Sequence, residues 1–322
     1  MIYCVVNPAA GSGKGAKQWG EIEDYLKKAK VEYNAFMSQK HGHVAELVHS
    51  ITTAHIDEAE PITLIILGGD GTLDEALQGI ADFDRVNLGY IPIGSSNDFN
   101  RAMGPDITSV DKIKHILQCT SPRILDLGLL EYVSMSSERS RIHSGEVPVR
   151  HYFDVSCGIG FDANICEEAL NANSKAFLNK IGLGKLTYGT ICLKQLFSGD
   201  LTDAKLILDR EKEVYVHKLR FIVGMNTCYE GGGFKFAPNA VPDDGYLDIC
   251  AVGNISSFGI LCKLPMAVKG KHINNRNVTT YRAKSFEVIT NEAQWVHTDG
   301  EVYTKASHIK VSVVPHKLRY LE

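Results

Sequence analysis

Short apolar runs and amphipathic stretches alternate along the first 125 residues of the chain. Apolar runs rich in β-branched residues are typical of buried parallel strands, and apolar positions three or four residues apart are typical of helices. The pattern therefore predicts a doubly wound α/β domain over residues 1–125, with helices between its strands. The predicted strands are Met1–Val6, Tyr33–Met37, Ile62–Leu67 and Val86–Ile93.

From residue 126 onward, apolar and polar positions alternate in strands that short turns connect. Such alternation favours antiparallel sheet, so we predict a C-terminal antiparallel β-sandwich domain over 126–322. Asp162 to about Phe197 differs, because its apolar residues recur at helical spacing. Whether the last strand returns to the first domain stays open. The predicted strands are Asp126–Val133, His151–Cys157, Ala204–Asp209, Glu213–Asn226, Tyr246–Val252, Ser285–Thr290 and Ile309–Val314.

Composition narrows the classes of protein that the chain can belong to. A formal net charge of -4 over 322 residues argues against strong non-specific binding of nucleic acid. The eight cysteines are scattered without a C-x-x-C pair, which indicates reduced residues of a cytoplasmic protein. No run of 18 apolar residues is present, so no transmembrane span is expected.

The most informative stretch is the glycine-rich turn after the third strand, Gly68-Gly-Asp-Gly-Thr-Leu73. Glycines let backbone amides approach a ligand, and a following helix N-terminus favours an anion such as phosphate. Asp70 would repel a phosphate unless a cation lay between them, which indicates Mg²⁺ bound with a nucleotide. The alternative is a tight turn in which Asp70 caps the helix at Thr72 or Leu73.

Two further strands end in polar, glycine-bearing turns: Asn7–Gly15 after the first strand and Pro92–Arg101 after the fourth. The first lacks the Gly-Lys-Ser/Thr ending of a phosphate loop, so a plain strand-to-helix turn is equally compatible. In the second, Ser95 and Ser96 are predicted to cap the next helix. Because right-handed crossovers place such turns on one sheet edge, where α/β proteins bind ligands, we expect the turns to converge.

Two segments of the second half carry acidic residues in glycine-rich surroundings. In Tyr229–Asp248, Asp243 and Asp244 can form a type I turn or hold a metal ion. In Trp295–Tyr303, Asp299-Gly300 is by itself a strong hairpin signal. On the residues alone, the turn interpretation is favoured for both segments.

These motifs together resemble the diacylglycerol kinase catalytic-domain family, which includes sphingosine, ceramide and many bacterial lipid kinases. The resemblance rests on Asn7-Pro8 with its glycines, Gly68–Leu73, and Pro92-x-Gly-x-x-Asn-Asp-Phe-x-Arg101, in order and spacing. Two positions depart from the family pattern: Asp74 stands where Asn is usual, and Ser95 where Thr is usual. The extra charge of Asp74 would weaken the phosphate site or assist a metal.

The resemblance implies specific roles for residues of this chain. Asp70 would act with Mg²⁺ on the phosphates of ATP, and Glu301 would accept the proton of the lipid hydroxyl. Asp244 would hold a structural Mg²⁺ together with the backbone carbonyls of Val241 and Tyr246. The implied nucleotide contacts are Asn7, Gly11, Ser38, Gly69, Asp70, Gly71, Thr72, Leu73, Asp74, Glu75 and Ser95.

We therefore expect an ATP-dependent lipid kinase, with diacylglycerol as the family's default acceptor. The alternatives are an NAD kinase, which shares Gly-Gly-Asp-Gly-Thr, and a lipid or nucleotide sensor without catalysis. A lipid substrate requires contact with a membrane surface, while a homodimer is left open. Two apolar patches rimmed by lysine are candidates for that contact, although core helices explain them as well. They are Ile181, Leu183, Leu186 and Tyr188 with Lys180 and Lys185, and Leu261, Leu264 and Met266 with Lys263 and Lys269.

Overall fold

The structure, a computed structural model, describes residues 1–140, 146–171 and 201–322. It divides into two compact units: Met1–Leu127 with Pro315–Glu322, and Gly128–Val314. The end of the chain therefore belongs to the first unit. The predicted helical stretch runs from Asp162 to about Phe197, and its part beyond Asn171 lies outside the described residues. The candidate membrane patch around Ile181 falls in that part.

The first unit contains a parallel sheet built from the predicted apolar runs. Strand β1 lies between β2 and β3, β4 pairs with β3, and the end of the last strand, Arg319–Leu321, pairs in parallel with β4. The order changes direction at β1, which makes the gap between β1 and β3 the place where doubly wound sheets bind ligands. The strands are β1 (Ile2–Val6), β2 (Tyr33–Met37), β3 (Ile62–Gly68) and β4 (Val86–Pro92).

Helices follow the strands of this sheet and cover both of its faces. Helices α1 and α5 bury apolar residues such as Trp19, Ile22 and Ile113 against one face, while α2 and α3 pack together. The predicted doubly wound α/β fold is confirmed. The helices are α1 (Ala10–Lys28), α2 (His43–Ala54), α3 (Asp70–Gly79), α4 (Asp98–Met103) and α5 (Ser109–Gln118).

The second unit is built mainly from antiparallel pairs, as the alternating pattern predicts. Strand β9 pairs with β7, β8 and β10, and β12 pairs with β7, β8 and β13. The elements are β5 (Arg123–Arg139), β6 (Arg150–Phe153), β7 (Ser156–Gly160), α6 (Phe161–Asn171), β8 (Thr202–Leu208), β9 (Lys212–Met225), β10 (Leu247–Gly253), α7 (Ser257–Val268), β11 (Val278–Ala283), β12 (Ser285–Thr298) and β13 (Glu301–Leu321).

Alternate residues of these strands enter separate apolar clusters on the two sides of the sheet. Ile222 and Ile249 lie in one cluster with Phe286, whereas Val223 and Cys250 lie in the other, beneath α7. The predicted β-sandwich class is confirmed. One strand, β11, has no counterpart among the predicted strands, and β5 extends beyond its predicted end at Val133.

Candidate active site

Four polar turns lie at the carboxyl edge of the parallel sheet, where the crossovers of β1 to β4 begin. A hydrogen bond joins two of them across the β1/β3 gap, because Asn7 Nδ2 donates to Thr72 Oγ1 over 3.0 Å. The turn after β2 is attached to the same edge, since the Ser38 amide donates to the Val6 carbonyl over 2.8 Å. The expected convergence of the turns is therefore present within the first unit.

The turn after β1 opens α1 in a left-handed conformation. Gly11, Ser12 and Gly13 have φ values of 59°, 60° and 91°. The two glycines adopt such positive φ values without strain. A Cβ at Gly11 would lie 2.4 Å from the Ile93 carbonyl oxygen, so a side chain cannot be accommodated there. The backbone of this turn therefore lies next to the carboxyl end of β4 with no side chain between them. A phosphate-binding loop requires backbone amides that are accessible in this way.

The glycines after β3 and β4 allow two backbones to touch. A Cβ on Gly94 would lie 2.9 Å from the Gly69 Cα atom, and a Cβ on Gly68 would collide with Thr72. Asp70 is the first residue of α3, and Gly69 occupies the N-cap position, so the alternative role of Asp70 as N-cap residue is wrong. Its carboxylate belongs to the first helical turn, beside the amides that attract an anion.

The prediction that Ser95 and Ser96 cap the fourth helix is also wrong. Asn97 is the N-cap residue of α4, in a left-handed conformation with φ of 49°. Its side-chain amide closes the turn by accepting from the Gly94 amide over 2.9 Å and donating to the Gly94 carbonyl over 3.1 Å. Ser95 is consequently left exposed on the turn.

The structure separates the remaining predicted nucleotide contacts into exposed and buried groups. Leu73 is part of the core, and Asp74 is fully buried, so neither side chain is exposed. Gly71 is partly exposed in the first turn of α3. Glu75 accepts from the Val44 amide over 3.2 Å and contacts His41 Nδ1 at 2.8 Å. Glu75 thereby attaches the turn after β2 to α3.

The ionisation of Glu75 agrees with this attachment. Burial alone would raise the pKa of Glu75, but the hydrogen bond with His41 and those from the Gly42 and Val44 amides lower it below its ordinary value. Glu75 is therefore an anion that orders the loop carrying Ser38. His41 has this carboxylate as its partner.

In the second unit, the predicted hairpin places Glu301 directly after a tight turn. Asp299 and Gly300 have φ values of 50° and 88°, and Thr298 pairs with Glu301 across the turn. Positive φ at both central residues is the signature of a type I′ turn, which matches the twist of the two strands. The first residue of β13 is therefore held at a fixed place at the end of this hairpin.

Asp299 is an anchor of the same turn. Its carboxylate accepts the amides of Asp154, Val155 and Ser156 at distances of 2.9, 3.0 and 2.8 Å. Three of its roughly four lone-pair directions are thus already used. Asp299 therefore serves to anchor the turn that precedes Glu301.

Buried ionisable side chains that the sequence did not single out lie next to this hairpin. His297 is fully buried, and its Nε2 atom is 3.2 Å from Asp162 Oδ2 and 3.4 Å from Glu230 Oε1. Burial alone would lower the pKa of His297, but the hydrogen bond with Asp162 and the charges of Glu230 and Asp162 raise it to about 9. The surroundings of this ring therefore favour a positive charge.

The predicted structural metal site at Asp244 has a different cation beside it. Arg282 of β11 donates from Nη2 to Asp244 Oδ2 over 2.6 Å, and the Tyr246 amide donates to Oδ1 over 3.0 Å. The guanidinium also lies over the Tyr246 ring, 4.5 Å from its centre. As placed, this carboxylate forms an ion pair with Arg282, and Mg²⁺ held by Asp244 with the carbonyls of Val241 and Tyr246 stays a prediction.

Replacing Asp244 with alanine is expected to destabilise the protein by more than the ~0.5 kcal/mol typical of a surface substitution. The change removes the partner of Arg282 and of the Tyr246 amide together, which urea unfolding would measure. Chelation then identifies the cation. A melting temperature that EDTA lowers in wild type but not in Asp244→Ala would support a metal, and one that EDTA lowers equally in both would contradict it.

Comparisons with known proteins agree with this two-unit arrangement. Residues 1–128 match the family described as "Diacylglycerol kinase catalytic domain", and residues 156–322 match "YegS C-terminal NAD kinase beta sandwich-like domain". The chain is 31% identical over 306 residues to "Putative lipid kinase YtlR" of Bacillus subtilis, covering 93% of both chains. It is 26% identical to "Diacylglycerol kinase" of Staphylococcus carnosus, covering 92% of this chain and 87% of that one.

The fold also matches a solved structure along nearly the whole chain. A crystal structure titled as a diacylglycerol kinase from Bacillus anthracis superposes with a TM-score of 0.68 at 21% identity. The superposition covers 99% of this chain and 96% of that chain. At this level of identity the match establishes the architecture of both units.

Proposed function

We propose that this chain, which belongs to the diacylglycerol kinase catalytic-domain family, transfers the γ-phosphoryl group of ATP to a lipid hydroxyl, with diacylglycerol as the acceptor. Membership makes it a kinase of the diacylglycerol kinase type, and the acceptor is the part that we infer. The observation that carries the proposal is the convergence of polar, glycine-bearing turns at the β1/β3 gap of the first unit.

In the first unit, the chain's own residues bind and orient the nucleotide. Amides of the Gly11 turn and of the first turn of α3 supply donors for phosphate oxygens. Asn7 joins these two turns through Thr72, and Glu75 keeps the Ser38 loop attached. Mg²⁺ bound with ATP would neutralise phosphate charge, and Asp70 is the carboxylate that would hold it.

In the second unit, Glu301 is the proposed base. Phosphoryl transfer needs the acceptor hydroxyl positioned and its proton removed, with little covalent work by the protein. The type I′ turn and the three amides on Asp299 fix the backbone that carries Glu301. A general base must lie within hydrogen-bond reach of the proton that it removes, and a hairpin of fixed conformation would hold the Glu301 backbone in one place for that contact.

The experiment that tests the proposal is incubation of the protein with γ-labelled ATP, Mg²⁺ and a total lipid extract. Label in phosphatidic acid is expected, because a relative at 26% identity is named diacylglycerol kinase. Label in another phospholipid would retain the lipid kinase and replace the acceptor. Transfer to added NAD alone would support the NAD kinase alternative, and transfer to no acceptor would support a sensor.

Access to a lipid requires a surface that can meet a membrane. Within the described residues, no helix is long and apolar enough to span a bilayer. In the predicted patch on this helix, Leu261 and Leu264 are partly buried and pack against the core beneath α7, whereas Met266 is exposed. Most of the exposed apolar residues of α7 lie on another side of that helix, and Val268 is at its end. They are Phe258, Cys262, Pro265, Met266 and Val268, with Lys269 and Lys271 following.

Replacing Phe258 with serine is expected to weaken binding to vesicles of phosphatidylglycerol and diacylglycerol by roughly 10- to 150-fold, since burying a Phe side chain contributes ~1.5–3 kcal/mol. Phe258 is 72% exposed, so the melting temperature should hold. Vesicle flotation measures the binding. Tyr215→Ser is the matched control, because Tyr215 is a comparably exposed aromatic residue of the same unit, on β9. Equal binding of both variants would rule out α7 as the contact.

A further inference from the structure

Three side chains from distant parts of the sequence meet inside the second unit. Asp162 lies in the first turn of α6, Glu230 in the segment between β9 and β10, and His297 near the end of β12. The ligand atoms of all three lie within 4.8 Å of one another. We propose that Asp162, Glu230 and His297 bind a divalent transition-metal ion, Zn²⁺ or Mn²⁺.

The spacing of these atoms suits ligands of one ion. Two ligands at ~2.1 Å from a metal lie roughly 3.4 Å apart at tetrahedral angles and about 3.0 Å apart at octahedral angles. His297 Nε2 is 3.2 Å from Asp162 Oδ2 and 3.4 Å from Glu230 Oε1. Both separations therefore match the distance between two ligand atoms that bind the same metal ion. Glu230 is followed by three glycines, so its segment can adjust to close the third side.

Charge and ligand chemistry indicate the class of ion. Burying carboxylates is costly unless they are paired, and the side chains of Asp162 and Glu230 are only 9% and 12% exposed. A positively charged His297 balances one of their two negative charges, whereas a divalent ion that takes the place of the Nε2 proton balances both. One imidazole nitrogen with two carboxylate oxygens suits Zn²⁺ or Mn²⁺, whereas Mg²⁺ and Ca²⁺ prefer oxygen alone.

Strand β7 has a glycine, Gly158, next to the three side chains, and the missing Cβ leaves room for their ligand atoms. Gly158 pairs with His297 in the β7–β12 register, and a Cβ there would lie 2.1 Å from Asp162 Oδ2 and 2.3 Å from His297 Nε2. Any other residue at this position would push the ligand atoms apart. The Asp162 carboxylate is further fixed through Oδ1, which accepts the Ala163 amide over 2.8 Å. Two ligands are thus held in place by local backbone.

The ring also contacts the turn that carries Glu301. The Gly300 amide nitrogen lies 3.4 Å from His297 Nδ1. An imidazole that binds a metal through Nε2 exchanges the proton on that atom for the ion and keeps its proton on Nδ1. Loading the metal therefore changes the charge beside this turn, and the Gly300 amide resonance in an NMR spectrum would report it.

The test is metal binding by the full chain, with no polyhistidine tag and with neither ATP nor lipid present. After incubation with ZnCl₂ or MnCl₂ and desalting, elemental analysis is expected to find about one equivalent of metal per chain. Asp162→Asn, Glu230→Gln and His297→Gln should each lose it. Glu301→Gln and Asp244→Ala, which leave the three ligands intact, should retain it.

A second measurement covers variants that fail to fold. Co²⁺ added to the metal-free wild type should give the visible d–d absorption of a nitrogen and oxygen ligand set, which excess Zn²⁺ removes. Less than about 0.1 equivalent of metal in the wild type, with no such band, would overturn the site. Folded single variants that bind as much metal as the wild type would overturn it too. Because kinase activity plays no part, failure of the proposed function would leave this result unchanged.

Discussion

Asp70→Asn is expected to reduce lipid phosphorylation by roughly 10³-fold or more, since it removes the charge that we propose to hold the nucleotide's cation. Asparagine keeps the size of the side chain at the first residue of α3, so the fold should be preserved. Initial rates with saturating diacylglycerol vesicles measure the loss.

Ligand-induced stabilisation separates a binding defect from a folding defect in this variant. A ligand that binds only the native state at about 100 times its Kd stabilises it by ~2.7 kcal/mol, so Mg-ATP should raise the melting temperature of the wild type. Asp70→Asn should melt normally when free and lose most of that increase.

Asp106→Asn is the matched control, because Asp106 is an exposed acid of the same unit and the substitution changes the net charge equally. It should keep both the rate and the stabilisation by Mg-ATP. Near wild-type turnover in Asp70→Asn would end the proposed role of Asp70.

In the first unit, the strands, turns and helices whose conformation depends on neighbouring residues could be predicted from the sequence. Ile62–Leu67 is apolar and β-branched, and the glycines that follow admit only a turn, so strand, turn and helix could be read in order. The N-terminus of α4 shows where this reading stops. Serine is a good N-cap residue by propensity, yet Asn97 takes that position because its side chain both accepts from and donates to Gly94. The hydrogen bonds between the Asn97 side chain and the Gly94 backbone form only in one turn conformation, which the identity of these residues does not specify.

Features that depend on tertiary contact were not predictable from the sequence. Leu261 and Leu264 have the same helical spacing as an exposed patch, and only packing shows that they face the core. Strand β11 is polar and pairs with β10 alone along the described part of the sheet, so its residues carry little strand signal. Asp162, Glu230 and His297 come from three separate segments, and no spacing rule relates them.

The two acids of the Asp-Gly-Glu segment illustrate both cases. The sequence predicted the hairpin and, through the family resemblance, assigned the base to Glu301. The structure distinguishes their surroundings, because Asp299 is occupied by the amides of Asp154, Val155 and Ser156. Substitutions at the two positions should therefore have different consequences for rate and stability.

Glu301→Gln is expected to lower kcat by ~10²- to 10⁴-fold, the usual contribution of a general base, which corresponds to about 3 to 5 kcal/mol of barrier. Glutamine keeps the size of the side chain but cannot accept the hydroxyl proton. The KM for ATP and the melting temperature should barely change, the pattern of a group that acts in the transition state.

Asp299→Asn provides the contrast within the same turn. An asparagine has only one acceptor oxygen for three amides, so at least one amide then faces an NH₂ group. Leaving a backbone donor of this kind unsatisfied costs ~1–3 kcal/mol. This variant should unfold earlier in urea and lose activity along with stability, because the turn that positions Glu301 is loosened.

Measuring kcat and the free energy of unfolding for both variants distinguishes a residue that acts as the base from one that anchors the turn. A rate defect without a stability defect in Glu301→Gln, and both defects in Asp299→Asn, is the expected pair of results. If Glu301→Gln phosphorylates lipid within about threefold of wild type, less than ~1 kcal/mol of barrier, the base lies elsewhere. Asp299 would then be the next candidate, with a single free lone-pair direction for the proton.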